Sequence, residues 1–548
     1  MTLSRRDALR GLGLGTAAGL SACATTGTGT SITGSFKHGV ASGDPTAQGF
    51  IIWTRATPPE GQSGSIYLKY EISEDESFSK IIKNSTIRTD ALRDYTAKAD
   101  IKNMEPGRTY YYRFVSGDTV SPIGRGKTLP EGDVERLKLA VVSCSNYQFG
   151  YFNAYDDIAR RDDVDVVVHL GDYLYEYGPG GYGSAEAAKL GRQHKPEREI
   201  ITLTDYRERH AQYKTEPGSL ALHAAHSMIP IFDDHETTND SWTGGAENHQ
   251  EDEGPWRERE RAAMQAYYEW MPVRDPLTGR TREAFYRTFE FGNLATLSAI
   301  ETRLLARSKQ MSYEDYGESL LTAQGRSAFE ADRMDEARTL MGPVQMQVIA
   351  DDFGASKAAG KPWRLLANQI IMAKTATPDL TDAADAADMK PLLSQSEAFA
   401  FRVSISNHEL PLNLDAWDGY PAERERFYSA LRSRGVSDMI VLTGDTHEFW
   451  ANRLTDKAGR SMGVELGTSG VTSPGSGSYL GAAGARFSRE LVAQNKDVQI
   501  NENKARGYIL LTLTPDRARS EFIALSTIES PDYVASPLRS FNITKSGD

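Results

Sequence analysis

Four short segments concentrate the side chains that could do chemistry: Ser143-Cys144-Ser145-Asn146, Gly171-Asp172-Tyr173-Leu174-Tyr175-Glu176, Asp233-Asp234-His235-Glu236 and Gly444-Asp445-Thr446-His447-Glu448. Thiol, phenol, carboxylate and imidazole are the donors that hold metal ions, and together the four segments read as a binuclear metal site. Taken singly each is weak. An aspartate after a strand usually caps a turn, a lone buried cysteine is usually a small hydrophobe, and a histidine such as His169, His223 or His226 is more often a satisfied core group. Four such segments in this order are specific.

The surrounding residues indicate how these groups would be positioned. Leu139 to Val142 is a short apolar run, a polar loop follows, and Phe152, Tyr155, Ile158 and Ala159 then recur at helical spacing. The stretch reads as strand, loop and helix. Asp165 to Leu170 is a second run and ends at Gly171-Asp172; Ile229 to Phe232 precedes Asp233, and Met439 to Leu442 precedes Gly444. The reactive groups therefore sit where strands give way to loops, the edge of an α/β sheet at which active sites collect. The segment 306–340 is charged and irregular and reads as a surface insertion.

Ahead of this region the pattern is different. Ile66, Leu68, Tyr70 and Ile72 alternate with Tyr67, Lys69 and Glu71, and Tyr110, Tyr112 and Phe114 repeat the period of two that marks half-buried strands. Met104-Glu105-Pro106-Gly107-Arg108-Thr109-Tyr110 places a turn before a tyrosine-rich strand, as in the tyrosine corner of immunoglobulin-like sandwiches. Residues 36–130 are read as a small β-sandwich, and 137–530 as the larger α/β domain. The sandwich carries no chemical cluster and is expected to pack rather than to bind a ligand of its own.

The chain of 548 residues is long enough for one large enzyme domain and a smaller one, and 39% hydrophobic with 25% charged residues excludes wholesale disorder or a fibrous repeat. A net charge of −13, with no basic arm or stripe, argues against a nucleic-acid-binding surface. Two cysteines, Cys23 and Cys144, cannot build a disulfide framework. Residues 1–22 read as an address: Ser4-Arg5-Arg6-Asp7-Ala8-Leu9 and the weakly hydrophobic run Gly11 to Ala22 resemble a twin-arginine export signal. That run is well short of the ~20 residues needed to span a bilayer. Leu20-Ser21-Ala22-Cys23 resembles a lipoprotein box with Cys23 as the lipidated residue; the alternative is a small-residue cleavage site. Residues 23–35, small and polar, read as a flexible linker. The expected location is the periplasm or cell surface, reached through the twin-arginine machinery, with a membrane tether through the Cys23 lipid.

The four donor segments, in this order, resemble the metallophosphoesterase layout and more closely that of the alkaline phosphatase D (PhoD-type) family. Gly39-Val40-Ala41-Ser42-Gly43-Asp44-Pro45, Ile52-Trp53-Thr54-Arg55, Asp415-Ala416-Trp417-Asp418-Gly419-Tyr420-Pro421 and Gly470-Val471-Thr472-Ser473-Pro474 extend the resemblance over nearly the whole mature chain. It implies a small N-terminal immunoglobulin-like β-sandwich followed by a four-layer αββα phosphoesterase domain. Carried over by position, Cys144, Asp172, Tyr175 and His447 would bind one metal, and Asp172, Asp234 and Asp445 the other, with Asp172 bridging. His235 resembles the family's histidine that sits beside the metals, where it would hydrogen-bond the phosphate or protonate the leaving alcohol. The family's usual Asp-Thr-Arg appears here as Glu301-Thr302-Arg303, a departure that puts a role for the acid in doubt; Arg303 would fork a phosphate oxygen or form a surface ion pair.

The implied ligand types favour particular ions. Thiolate, phenolate, imidazole and carboxylate suit a transition metal, and phenolate favours a hard trivalent one, Fe(III). The all-carboxylate set favours calcium, magnesium or manganese. About five negative charges would be neutralised by Fe(III) with Ca(II), the cofactors expected here. The expected activity is hydrolysis of phosphate mono- and diesters by a monomeric alkaline phosphatase and phosphodiesterase that acquires phosphate, with hydroxide supplied at the metals and no serine nucleophile. Two alternatives remain: a phospholipase D-like phosphodiesterase, and a surface lipoprotein whose metal site is only structural.

Overall fold

The computed structural model describes residues 32–544. The export signal and Cys23 lie outside the described residues. Among those described, the strands form three sheets.

The first large sheet is built on apolar segments that can be buried on both faces. Leu137–Val142, Val166–His169 and Ser227–Pro230 pair in parallel, the arrangement in which near-continuous hydrophobic strands are satisfied. Antiparallel strands Gly507–Leu513, Ala518–Leu525 and Ala535–Ile543 extend one side. In the second large sheet Ala295–Ala299, Trp363–Ala367, Met439–Thr443 and Ser461–Gly467 run parallel, flanked by antiparallel partners. The sheets pack face to face through Leu139, Val141, Val168, Ile229, Leu297, Leu365, Ile440, Leu442, Ile509 and Leu511.

Helices cover the outer faces. On the first sheet Tyr155, Ile158, Tyr206, Leu222 and Met264 turn inward, contributed by helices that include Asn153–Ala159, Leu203–Tyr213 and Trp256–Trp270. On the second, Ile349 and Phe353 of Pro343–Ala358 and Phe427 and Leu431 of Pro421–Arg432 pack on Leu366 and Val441. The result is the expected four-layer αββα stack.

The N-terminal strands form a sandwich, but one whose first sheet is shared. Ile66–Ser73 and Thr109–Ser116 pair in a separate sheet, and their inward residues Ile66, Leu68, Ile72, Tyr110, Tyr112 and Phe114 meet Phe50 and Ile52 across the core. The Tyr110 hydroxyl accepts from the Glu105 backbone N–H at 3.1 Å, as the corner motif anticipates. The opposite layer, Val40–Thr46, Gly49–Arg55 and Thr96–Ile101, continues the first large sheet, because Val40–Thr46 pairs in parallel with Ser227–Pro230. Alternation shows which face of a strand is buried and is silent about which strand it joins.

Two stretches differ from the sequence reading. The described end of the stretch read as a linker is anchored: Ile32 N–H donates to Ser65 O at 3.1 Å, and Ser35 exchanges backbone hydrogen bonds with Thr57 at 2.8 and 2.7 Å. The segment read as a surface insertion is anchored at both ends, with Arg307 buried and Leu340 and Met341 in the core of the second sheet. Between them, Ala323–Arg333 lies at the surface and seats Phe329 in a satellite cluster with Tyr313, Leu320 and Ile405.

Candidate metal centre and active site

All the donor segments emerge from the carboxyl ends of parallel strands, at one edge of the stacked sheets. Cys144 follows Leu137–Val142, Asp172 follows Val166–His169, Asp234 follows Ser227–Pro230, and Asp445 and His447 follow Met439–Thr443. The loops interlock closely. Cys144 N–H donates to Gly171 O at 3.2 Å, Ser145 N–H to Asp172 O at 2.9 Å, and Val471 N–H to Ser143 O at 2.9 Å, the last of these joining the two sheets. A Cβ on Gly171 would lie 2.5 Å from Asp233 Cβ, and one on Gly444 would lie 2.6 Å from Ser143 Oγ, so both approaches require glycine.

Four of the donors sit in left-handed backbone: Cys144 (φ 61°), Asp172 (φ 55°), Asp445 (φ 61°) and His447 (φ 60°). Each such residue is strained by roughly 1–2 kcal/mol relative to ordinary conformations. Strain of this kind persists only where surrounding contacts fix it, and it gathers at functional sites.

The side chains converge. Cys144 Sγ lies 3.3 Å from Asp172 Oδ2, and the Tyr175 hydroxyl lies 3.2 Å from the same oxygen and 3.3 Å from His447 Nε2. His447 Nδ1 pairs with Pro474 O at 3.0 Å, which directs Nε2 to the cluster. The Ser473 hydroxyl donates to the Tyr175 oxygen at 2.7 Å. Donor atoms of Cys144, Asp172 and His447 lie within 4.8 Å of one another, as do those of Asp172, Asp234 and His235; Asp172 belongs to both groups. Asp445 falls outside this spacing and approaches through Arg303, whose Nη2 lies 3.8 Å from Asp234 Oδ1 and 3.6 Å from Asp445 Oδ1.

Electrostatics show what the cluster lacks. Burial pushes the Asp172 carboxyl well above the usual range, with Asp234, Asp233 and Glu236 adding to the rise and His235 opposing it. Asp445 is raised by burial and by Asp233 and Asp415. Burial, reinforced by Asp172, raises the Cys144 thiol and the Tyr175 phenol, and burial lowers His447 to about 3. The buried Asp172 Oδ1 finds no hydrogen-bond partner among the described residues. Asp234 alone is held low, by Arg303 and His235 against burial; the other acidic donors, held protonated and with an oxygen left over, are what a cation would reverse by displacing their protons, and the residues fit a metal pair.

His235 is held by a buried carboxylate. Its Nδ1 pairs with Glu176 Oε2 at 2.7 Å, and although burial disfavours the imidazolium, Glu176, Asp234 and Asp172 outweigh it and raise the histidine above its ordinary value. Glu176 also accepts from Asn239 N–H and Asn248 Nδ2, each at 2.9 Å. The pairing takes up Nδ1 and leaves Nε2 outside it.

Arg303 corrects the sequence reading. It is fully buried, so it forms no surface ion pair: Nη1 donates to both Asp415 oxygens at 2.9 and 2.8 Å and Nε to Asp233, while Nη2 has no hydrogen-bond partner among the described residues. It lends positive charge to four carboxylates. Glu301 accepts the backbone N–H groups of Arg303, Leu304 and Leu305 at 2.6, 2.6 and 2.9 Å, and so shapes the loop that carries the arginine. Asp233, Asp415, Glu176 and Ser473 were not singled out from sequence, although each lies inside a segment quoted above.

Comparison with known proteins now bears on this geometry. Residues 139–522 match the PhoD-like phosphatase family and residues 22–130 its N-terminal domain. The chain belongs to the PhoD-like phosphatase family. It is 33% identical over 521 residues to alkaline phosphatase D of Bacillus subtilis (strain 168), a match covering 92% of this chain and 80% of that protein. A solved structure of PhoD superposes with a TM-score of 0.76 at 30% identity, covering 94% of this chain and 91% of the other. This phosphatase is therefore a phosphoric ester hydrolase of a metal-dependent family, and its donor cluster lies at the carboxyl edge of the shared fold.

Proposed function

We propose that the chain is an exported alkaline phosphatase and phosphodiesterase that works with a binuclear Fe(III)–Ca(II) centre and releases phosphate for uptake at the periplasm or cell surface. The observation that carries the reading is the convergence of thiol and phenol on one oxygen of Asp172, with the His447 imidazole against the phenol, and Asp172 shared with a second donor group. Cys144, Tyr175, His447 and Asp172 would hold the iron, and Asp172, Asp234 and Asp445 the calcium. When bound, the metals supply positive charge for the ester oxygens and hydroxide at neutral pH. His235, oriented by Glu176, presents Nε2 to the departing alkoxide and delivers its proton there. Arg303 holds Asp234 ionised and opposes the rise of Asp445.

Elemental analysis with a visible spectrum tests this, because thiolate or phenolate on ferric iron absorbs visible light and the same ligands on zinc do not. Iron, calcium and colour are expected, and Cys144→Ser should lose iron and colour while far-ultraviolet dichroism stays near wild type. A colourless zinc protein with full phosphatase activity would overturn the ion assignment.

A further inference from the structure

One loop beside the donor cluster, Gly178-Pro179-Gly180-Gly181-Tyr182-Gly183, carries a single large apolar surface. It is pressed against the body. A Cβ on Gly178 would lie 2.4 Å from Glu199 N, and one on Gly183 (φ 86°) would lie 3.0 Å from the Phe149 ring. Glycine there lets the backbone close in and leaves Tyr182 as the group the loop presents.

The half-buried Tyr182 ring lies 4.8 Å from Phe149, 6.1 Å from the proposed ligand Tyr175 and 5.7 Å from Tyr177, which it meets at 64°. Tyr177 in turn lies 5.6 Å from the His235 ring. Two phenol rings thus make a corner beside the histidine proposed to serve the departing oxygen. Further out, the Tyr182 hydroxyl interacts with that of Tyr479, which is 58% exposed and carries the aromatic wall toward solvent. A substituent on an oxygen served by His235 would lie toward this corner.

We propose that Tyr177 and Tyr182 line the subsite for the organic group of the ester, and that this subsite selects a planar unsaturated ring, so that aryl-type phosphate esters are preferred over alkyl ones. The inference rests on the phosphoester hydrolase reading and names the substrate class for that same centre. Two rings in an angled corner offer a flat guest a face and an edge together, both favourable to a ring quadrupole at these separations, whereas an alkyl group gains only contact area.

Calorimetric binding of phenylphosphonate, methylphosphonate and inorganic phosphate to the metal-loaded protein tests the proposal without turnover. Wild type should bind the phenyl compound about tenfold more tightly than the methyl one. Tyr182→Leu should lower that ratio about fivefold and leave the affinities for phosphate and methylphosphonate unchanged, and Tyr182→Phe should keep the wild-type ratio. A Tyr182→Leu protein that retains the full ratio overturns the proposal. An equal loss for all three ligands assigns Tyr182 to the fold and overturns it as well. Failure of wild type to bind phosphate or either phosphonate overturns the phosphoesterase reading, and the subsite with it.

Discussion

The hydroxyl of Ser473 offers a measure of how far the protein tunes its proposed iron ligand. It donates at 2.7 Å to the Tyr175 oxygen, and both residues are fully buried, so no water replaces the bond when it is removed. A hydrogen bond to a charged acceptor contributes about 1.5–3 kcal/mol. Burial raises the Tyr175 phenol and the Ser473 bond opposes that rise. Ser473→Ala should therefore raise the phenol further. The same free energy is lost from the phenolate–metal complex, a drop of roughly 10- to 100-fold in iron affinity. Competition against a chelator, followed through the visible band, reads this directly. The hydroxyl is small and the backbone hydrogen bonds of the loop remain, so dichroism and melting of the metal-free protein should change little. Unchanged iron affinity and an unshifted band would show that Tyr175 does not meet the metal as a phenolate, and the donor set would have to be redrawn.

Arg303→Met removes the cation shared by Asp233, Asp234, Asp415 and Asp445, and should destabilise the metal-free protein by about 3–5 kcal/mol. A melting temperature equal to wild type would refute that role. Three histidines outside the donor set, His38, His169 and His226, are lowered by burial from 6.5 to about 3, about 3 and about 4. Each is neutral in the fold and charged on unfolding. Their contribution is therefore complete above pH 6.5 and is lost toward pH 3–4, by up to about 1.4 kcal/mol per pH unit and per histidine. His226→Gln should flatten the fall of melting temperature with acid, and an unaltered slope would remove His226 from the account. Export is expected to depend on both guanidinium groups of the signal, so Arg5→Lys with Arg6→Lys should leave the protein in the cytoplasm. Normal export of that variant, seen by fractionation, would exclude the twin-arginine route.

The parts legible in the sequence were those set by local periodicity. Leu139 to Val142, Met439 to Leu442 and the alternation from Ile66 to Ile72 record burial on two faces or on one, and they become strands with those faces. Reactive residues placed just after such runs arrive at one edge because parallel strands share a direction. Pairing was not legible: nothing in Val40–Thr46 says that it will lie beside Ser227–Pro230, since edge-to-edge hydrogen bonding leaves no mark on side-chain pattern. The charge network was hidden for a similar reason. Arg303 looks like any exposed arginine until Asp415, far along the chain, is brought against it, and only the fold makes a buried pair of the two. Ser473 is an ordinary loop serine except for what stands opposite its hydroxyl.

The left-handed backbone at Cys144, Asp172, Asp445 and His447 sets what selection can keep. At each of these positions glycine would relax the chain, and only the donor group argues against it. Screening for thermal endurance alone, with no demand for turnover, should therefore enrich glycine at these four sites before it touches the sheets. A lineage released from the need for its metals would drift the same way, losing its chemistry through substitutions that make the fold sturdier. Glycine at several of these positions at once, in a chain that otherwise keeps the architecture, would then mark a descendant that has stopped being an enzyme.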